Sequence, residues 1–267
     1  MRLVISLGQM DIHAGEPALN LEHARAWVEE AARRGSDIVV LPELWDTGYA
    51  LDRAGELGQL LGAGRFAQMA GLARAHRIHI VGSMLEVQPG AERGSQPDAY
   101  NTAVWFAPDG STAGVYRKVH LFRLMHEERY LKPGAEPALL DLPWGKTGLA
   151  ICYDLRFPEL FRRYALHGAV MVVVPAQWPH PRMSHWQTLL RARAIENQMV
   201  VVGCNRVGRE KEAHFGGYSV ILDAWGKPVI EGGEAEELLT AEIDLAEVSR
   251  IRQWMPVLED RRPQAYG

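Results

Sequence analysis

The sequence predicts an α/β fold in which helices cover a mixed β-sheet. Three observations carry this. Short apolar runs rich in β-branched residues recur along the chain. Longer segments with helical spacing lie between most of them. Two pairs of strands also follow one another with only a turn between, which makes the sheet mixed rather than wholly parallel.

The strand-like runs are Leu3–Ile5, Asp37–Leu41, His79–Gly82, Val104–Phe106, Leu149–Cys152, Val170–Val174, Val200–Gly203 and Val220–Leu222. Several lack alternation, as strands buried on both faces do. Among the helical segments, Leu19–Arg34 places Leu21, Ala24, Trp27, Val28 and Ala31 on one face. Leu57–Arg77 has a weaker period, Glu159–His167 follows a proline, and Ser184–Gln198 carries Trp186, Leu189, Leu190 and Ile195. The two hairpins are Ala103–Lys118, turning at Pro108-Asp109-Gly110, and Val220–Glu231, turning at Asp223-Ala224-Trp225-Gly226. Gln88–Asp98 reads as a surface loop, because strands lie close on both sides of it. A single layered domain over residues 1–267 fits this order better than two.

Composition narrows the function. The chain has 267 residues, 47% apolar and 23% charged, enough to bury a core without staples. Its formal net charge of −4 carries no clustered basic face, so a nucleic-acid partner is not expected. No stretch reaches the roughly 18 apolar residues that span a bilayer. The N-terminus lacks a signal-peptide pattern, so a cytoplasmic location without membrane attachment is expected. Cys152 and Cys204 are the two cysteines, both in apolar surroundings. They favour neither a disulfide framework nor a cysteine zinc site. Cys204 reads as structural, and His120, His126 and His185 lack metal-ligand spacing.

Three segments each end a strand on a reactive side chain: Glu43 after Ile38-Val39-Val40-Leu41-Pro42, Lys118 after Val115-Tyr116-Arg117, and Cys152 after Leu149-Ala150-Ile151. In layered α/β folds, ligands sit beyond strand ends. Taken singly, each has a plainer reading. Cys152 could be a small buried apolar residue, Glu43 a helix cap and Lys118 a solvated strand edge. Taken together they make a chemical set. A thiol is mostly protonated at neutral pH and needs a base, which a buried carboxylate supplies. A lysine balances that carboxylate and stabilises an oxyanion, with the Tyr153 backbone N–H as second donor. Such a set needs neither metal nor organic cofactor.

The strings that hold these residues are Leu41-Pro42-Glu43-Leu44, Tyr116-Arg117-Lys118-Val119-His120-Leu121-Phe122 and Ile151-Cys152-Tyr153-Asp154-Leu155-Arg156-Phe157-Pro158-Glu159. In order and spacing they resemble the nitrilase superfamily of carbon–nitrogen hydrolases. Arg193–Gln198, Gly217–Ser219 and the hairpin at Pro228 extend the likeness over nearly the whole chain. The resemblance implies a four-layer α-β-β-α sandwich with Glu43 as general base, Lys118 as oxyanion lysine and Cys152 as nucleophile. It also implies a second active-site glutamate. Counted back from Lys132-Pro133-Gly134, this is Glu127 in preference to its neighbour Glu128. A homodimer is implied as well, through Phe157–His167 and the C-terminal segment Ile251–Gly267.

Cys152–Glu159, Trp178–Arg182, Ser184–Gln187 and Gly203–Gly208 are similar to the ω-amidase branch of that family. That branch hydrolyses the terminal amide of 2-oxo-dicarboxylate monoamides such as 2-oxoglutaramate and 2-oxosuccinamate. A guanidinium at Arg156 or Arg182 could clamp the carboxylate of such a substrate. Tyr49 and Trp178 are candidate pocket walls. The alternatives at this level are a nitrilase, a carbamoylase or another amidase of the same chemistry, or a catalytically silent scaffold.

Overall fold

Ile38-Val39-Val40 shows how the chain divides its burial. All three are buried, but Val39 joins one apolar cluster while Ile38 and Val40 join another on the opposite face. A strand covered on both faces must lie inside a layered structure. The computed structural model, which describes residues 1–90 and 97–265, has that form.

One six-stranded sheet has the order β14 (Glu237–Asp244), β1 (Arg2–Gln9), β2 (Ile38–Val40), β3 (His79–Gln88), β4 (Asp98–Phe106) and β5 (Thr112–Arg117). The other runs from β6 (Ala138–Leu142) through β7 (Gly145–Leu149), β8 (Met171–Ala176), β9 (Val200–Asn205) and β12 (Val220–Leu222) to β13 (Pro228–Glu231). Read in these orders, both sheets pair antiparallel, parallel, parallel, antiparallel, antiparallel. The chain thus builds the same sheet twice, although no repeat is visible in its sequence. A small ribbon of β10 (Val207–Glu210) and β11 (Ala213–Gly216) stands apart.

Helices α1 (Pro17–Arg33) and α3 (Gly64–His76) cover the outer face of the first sheet. Their Ala24, Val28, Ala31, Phe66 and Met69 pack with Val39, Leu41, Ile80 and Val104. Helices α4 (Pro158–Leu166) and α5 (Met183–Asn197) cover the second sheet. Between the sheets, Ile5, Leu7, Val40, Val81 and Trp105 share one core with Leu149, Val173 and Val202. The result is the four-layer α-β-β-α sandwich with mixed sheets. Burying each such side chain contributes about 1.5–3 kcal/mol.

Several elements depart from the sequence reading. α1 begins at Pro17, whose fixed φ suits a first turn, and its buried face is Asn20, Ala24, Val28 and Ala31, with Leu21 and Trp27 at the margin. The helix expected over Leu57–Arg77 is broken. A short α2 (Ala54–Leu57) stops at an extended Gly58, and α3 starts only at Gly64, which has φ +51°. The strand expected to reach Cys152 stops at Leu149. β6, β10, β11, β14 and helix α6 (Ala246–Trp254) add to the expected elements. The centre of the Gln88–Asp98 loop, and Tyr266 and Gly267 of the C-terminal segment, lie outside the described residues.

Tyr164 of α4 ties the second sheet to its helix layer. Its hydroxyl donates to Leu149 O at 2.6 Å and accepts from Ala138 N at 3.1 Å. Tyr164→Phe leaves both backbone groups short of a partner and is expected to destabilise the fold by about 1–3 kcal/mol. Urea unfolding at fixed protein concentration measures this, and an unchanged midpoint contradicts it.

Candidate active site

Glu43, Lys118, Glu127 and Cys152 come together where strands of both sheets end. Glu43 lies just past β2, Lys118 just past β5, and Cys152 in a 3-10 turn three residues past β7. All four are buried, none more than 4% exposed. Glu128, beside Glu127, faces solvent.

The Lys118 ammonium bridges the two carboxylates. Its Nζ donates to Glu43 Oε1 and to Glu127 Oε1, each at 2.7 Å. Glu43 Oε1 also accepts from Asn101 Nδ2 at 2.8 Å, and its Oε2 accepts from the backbone N–H of Gln177 at 2.8 Å. Glu127 Oε1 takes the Tyr49 hydroxyl at 2.7 Å, and Oε2 takes the Phe122 N–H at 2.8 Å. Buried charges held this way keep their hydrogen bonds, without which they would be strongly destabilising.

Three non-glycine residues beside this group have left-handed backbones. Leu44 follows Glu43 at φ +42°, His126 precedes Glu127 at φ +58°, and Cys152 itself has φ +44°. Each costs of order 1–3 kcal/mol, so surrounding contacts must hold it. At Leu44 the N–H is caught by Ser83 Oγ at 2.8 Å. At Cys152 the clamp is Asp154, which is fully buried. Its carboxylate accepts from Ile151 N at 2.8 Å, Tyr116 Oη at 2.8 Å and His120 N at 3.0 Å. It also meets His120 Nδ1 at 2.7 Å, and that ring stacks on Phe157 at 3.6 Å. The turn bearing the thiol is thereby tied to the strand that delivers Lys118.

Electrostatics follow from burial. Burial pushes the Cys152 thiol well above the ordinary range, and the Glu43 carboxylate against it adds to this, outweighing Lys118. Burial likewise raises Glu127, with Lys118 pulling the other way. Burial alone would lower Lys118, but Glu127 and Glu43 hold it above the usual lysine range. The resting nucleophile is therefore a neutral thiol beside a carboxylate that can receive its proton.

Cys152 opens onto a narrow cleft lined by Phe122, Tyr153, Arg156, Trp178, Pro179 and Arg182. Arg156 lies over the Trp178 ring at 4.8 Å, and its Nη2 is 3.3 Å from His185 Nδ1. Arg182 lies over the Phe122 ring at 5.5 Å. Tyr49 sits deeper, where its hydroxyl serves Glu127 instead of facing this cavity. Among the described residues no group of histidine, cysteine or carboxylate side chains is arranged to hold a metal ion. His120 and His185 are engaged with Asp154 and Arg156.

The Carbon-nitrogen hydrolase family model matches residues 4–253. The chain belongs to the carbon–nitrogen hydrolase family. It is 40% identical to a 2-oxoglutaramate amidase of Bacillus subtilis (strain 168), over the whole of both chains. It is 32% identical to an omega-amidase of Mus musculus, covering 92% of this chain and 91% of that one. The crystal structure of a Saccharomyces cerevisiae member of branch 10 of the nitrilase superfamily superposes with a TM-score of 0.88. That match has 31% identity over 98% of this chain and 97% of the other. The protein is accordingly a hydrolase of the nitrilase superfamily, acting on carbon–nitrogen bonds other than peptide bonds.

Sequence reading did not single out Asn101, Asp154 or Gln177, which complete the site. Their only signal was a polar residue next to a buried apolar run. Because Glu43 holds the thiol proton in place, Glu43→Gln is expected to let Lys118 lower the Cys152 pKa. The pH midpoint of iodoacetamide alkylation then moves down relative to wild type, and a midpoint that stays or rises contradicts the stated balance of charges.

Proposed function

We propose that this hydrolase is a cysteine-dependent amidase. It removes the terminal amide of a small 2-oxo-dicarboxylate monoamide such as 2-oxoglutaramate or 2-oxosuccinamate, releasing the acid and ammonia. The observation that carries the reading is a buried thiol–carboxylate–ammonium group opening onto a small cavity with two guanidinium side chains at its wall.

In this reading Glu43 takes the thiol proton as Cys152 Sγ attacks the amide carbon. The carbonyl oxygen gathers negative charge against Lys118 and the Tyr153 N–H. The carbon–nitrogen bond breaks, the proton on Glu43 goes to the leaving nitrogen, and ammonia departs from a thioester. A water then attacks the thioester, giving its proton to Glu43. The carbon–sulfur bond breaks, and the thiolate recovers that proton. Glu127 fixes Lys118 from its other side and orients the amide.

The substrate's distal carboxylate would pair with Arg156, which Trp178 and His185 hold in place, with Arg182 across the cavity. The relatives from Bacillus subtilis and Mus musculus are a 2-oxoglutaramate amidase and an omega-amidase, which supports this substrate class. Ammonia release from 2-oxoglutaramate and 2-oxosuccinamate tests it. Cys152→Ala should abolish turnover, and Arg156→Ala should raise KM about 10- to 100-fold by removing a charged hydrogen bond. A folded wild type that releases no ammonia from either compound, but does from neutral amides, nitriles or N-carbamoyl compounds, overturns the assignment.

We further propose a homodimer formed through α4 and the C-terminal segment. The apolar side chains of Leu166, Ile195, Trp225 and Trp254 are exposed nearby, Trp254 to 74%, and Trp225 and Trp254 pack edge to face. The Trp225–Trp254 contact makes an exposed apolar patch, which supports a partner contact there. Sedimentation should give a dimer for wild type and a monomer for Trp254→Glu; an unshifted dimer argues against this face.

A further inference from the structure

Gln177 follows β8 as Glu43 follows β2, at equivalent places in the two matching sheets. The two strand ends are joined there by three hydrogen bonds. Glu43 N donates to Ala176 O at 3.4 Å, Gln177 N donates to Glu43 Oε2 at 2.8 Å, and Gln177 Nε2 donates to Glu43 O at 2.7 Å. Gln177 in turn is gripped by Arg206, whose Nη1 donates to Gln177 Oε1 at 2.9 Å.

Arg206 is fully buried, and its donors are all engaged. Nε meets Val207 O at 3.0 Å, Nη1 also meets Glu210 Oε2 at 3.0 Å, and Nη2 meets Asp11 Oδ1 at 2.9 Å and Ile12 O at 2.6 Å. Phe215 lies 4.5 Å beneath it. A guanidinium has no acceptor, so the Gln177 atom facing it must be the oxygen. The amide nitrogen is then committed to the Glu43 carbonyl.

We infer that Gln177, locked by Arg206, is a positioning residue that presents Glu43 Oε2 as the proton-accepting atom. This rests on the reading of Glu43 as the base. Oε1 already accepts from both Lys118 and Asn101, which fills its two lone pairs. Among the described residues Oε2 accepts from Gln177 N alone and keeps one lone pair for the thiol. Without the Gln177 side chain, the Glu43 backbone loses the bond that sets its height. Oε2 then shifts from both the N–H donor and the sulfur. Neither Gln177 nor Arg206 lines the cavity, so substrate binding is left alone.

The test compares wild type, Gln177→Met, Arg206→Lys and Glu43→Gln in ammonia release, with circular dichroism to confirm folding. A displaced base should lower kcat about 10- to 100-fold in Gln177→Met and Arg206→Lys, and KM should stay within about threefold because no ground-state contact is lost. The acid limb of the kcat/KM profile should move to higher pH, since the ionised carboxylate has lost a donor. Wild-type kcat with an unmoved acid limb overturns the inference. So does a loss of activity with the acid limb in place, which marks a structural role only. If Arg206→Lys fails to fold, Gln177→Met alone decides. Turnover retained in Glu43→Gln instead overturns the parent reading of Glu43 as base.

Discussion

The ammonium of Lys118, in direct contact with both Glu43 and Glu127, is the interaction on which the site depends. Two carboxylates this close would repel and protonate without it. The lysine would lose its charge without them. Each member is tolerable only because the others are present, so the three must arrive together. The layered fold meets this demand by bringing β2, β5 and the loop after β5 to one rim. The cost of so much buried charge is carried by a large apolar core on both sides of each sheet.

The same rim explains why the thiol can be both buried and reactive. Its surroundings favour the neutral form, which protects it between turnovers. Yet the proton has one short route out, onto a carboxylate whose other lone pairs are occupied. The strained backbones at Leu44, His126 and Cys152 set three side-chain directions that ordinary strand or helix geometry would not give. Asp154 and Ser83 hold two of these turns, the first through four hydrogen bonds, so the geometry is stiff before any ligand arrives.

Much of this was legible in the sequence where burial and chemistry coincide. Val39-Val40-Leu41 and Leu149-Ala150-Ile151 announce buried strands, and a reactive residue within two positions of each stands out against them. Legibility ended where the pattern carried mixed signals. β14 reads Glu-Leu-Leu-Thr-Ala-Glu-Ile-Asp, and its charged residues hide a strand that pairs along the full length of β1. The break between α2 and α3 turns on Gly58, Gly62 and Gly64, which a weak helical period masks. Gln177 and Arg206 look like ordinary polar residues at strand ends. Only the folding of one sheet against the other gives them partners.

The pairing of β1 with β14 also bears on how the protein is made. Arg2 lies opposite Asp244, so β1 leaves the ribosome about 240 residues before the strand it pairs with. At ordinary rates of synthesis that wait is about ten seconds or more. During it, the apolar edge of Leu3-Val4-Ile5 has no neighbour on that side, and an unpaired strand edge invites association with other chains. Over that interval the sheet that will hold Glu43 and Lys118 stays open along one side. A chaperone that shields this edge, or slow growth at low temperature, would be expected to govern the yield of the protein more than the stability of the finished fold does.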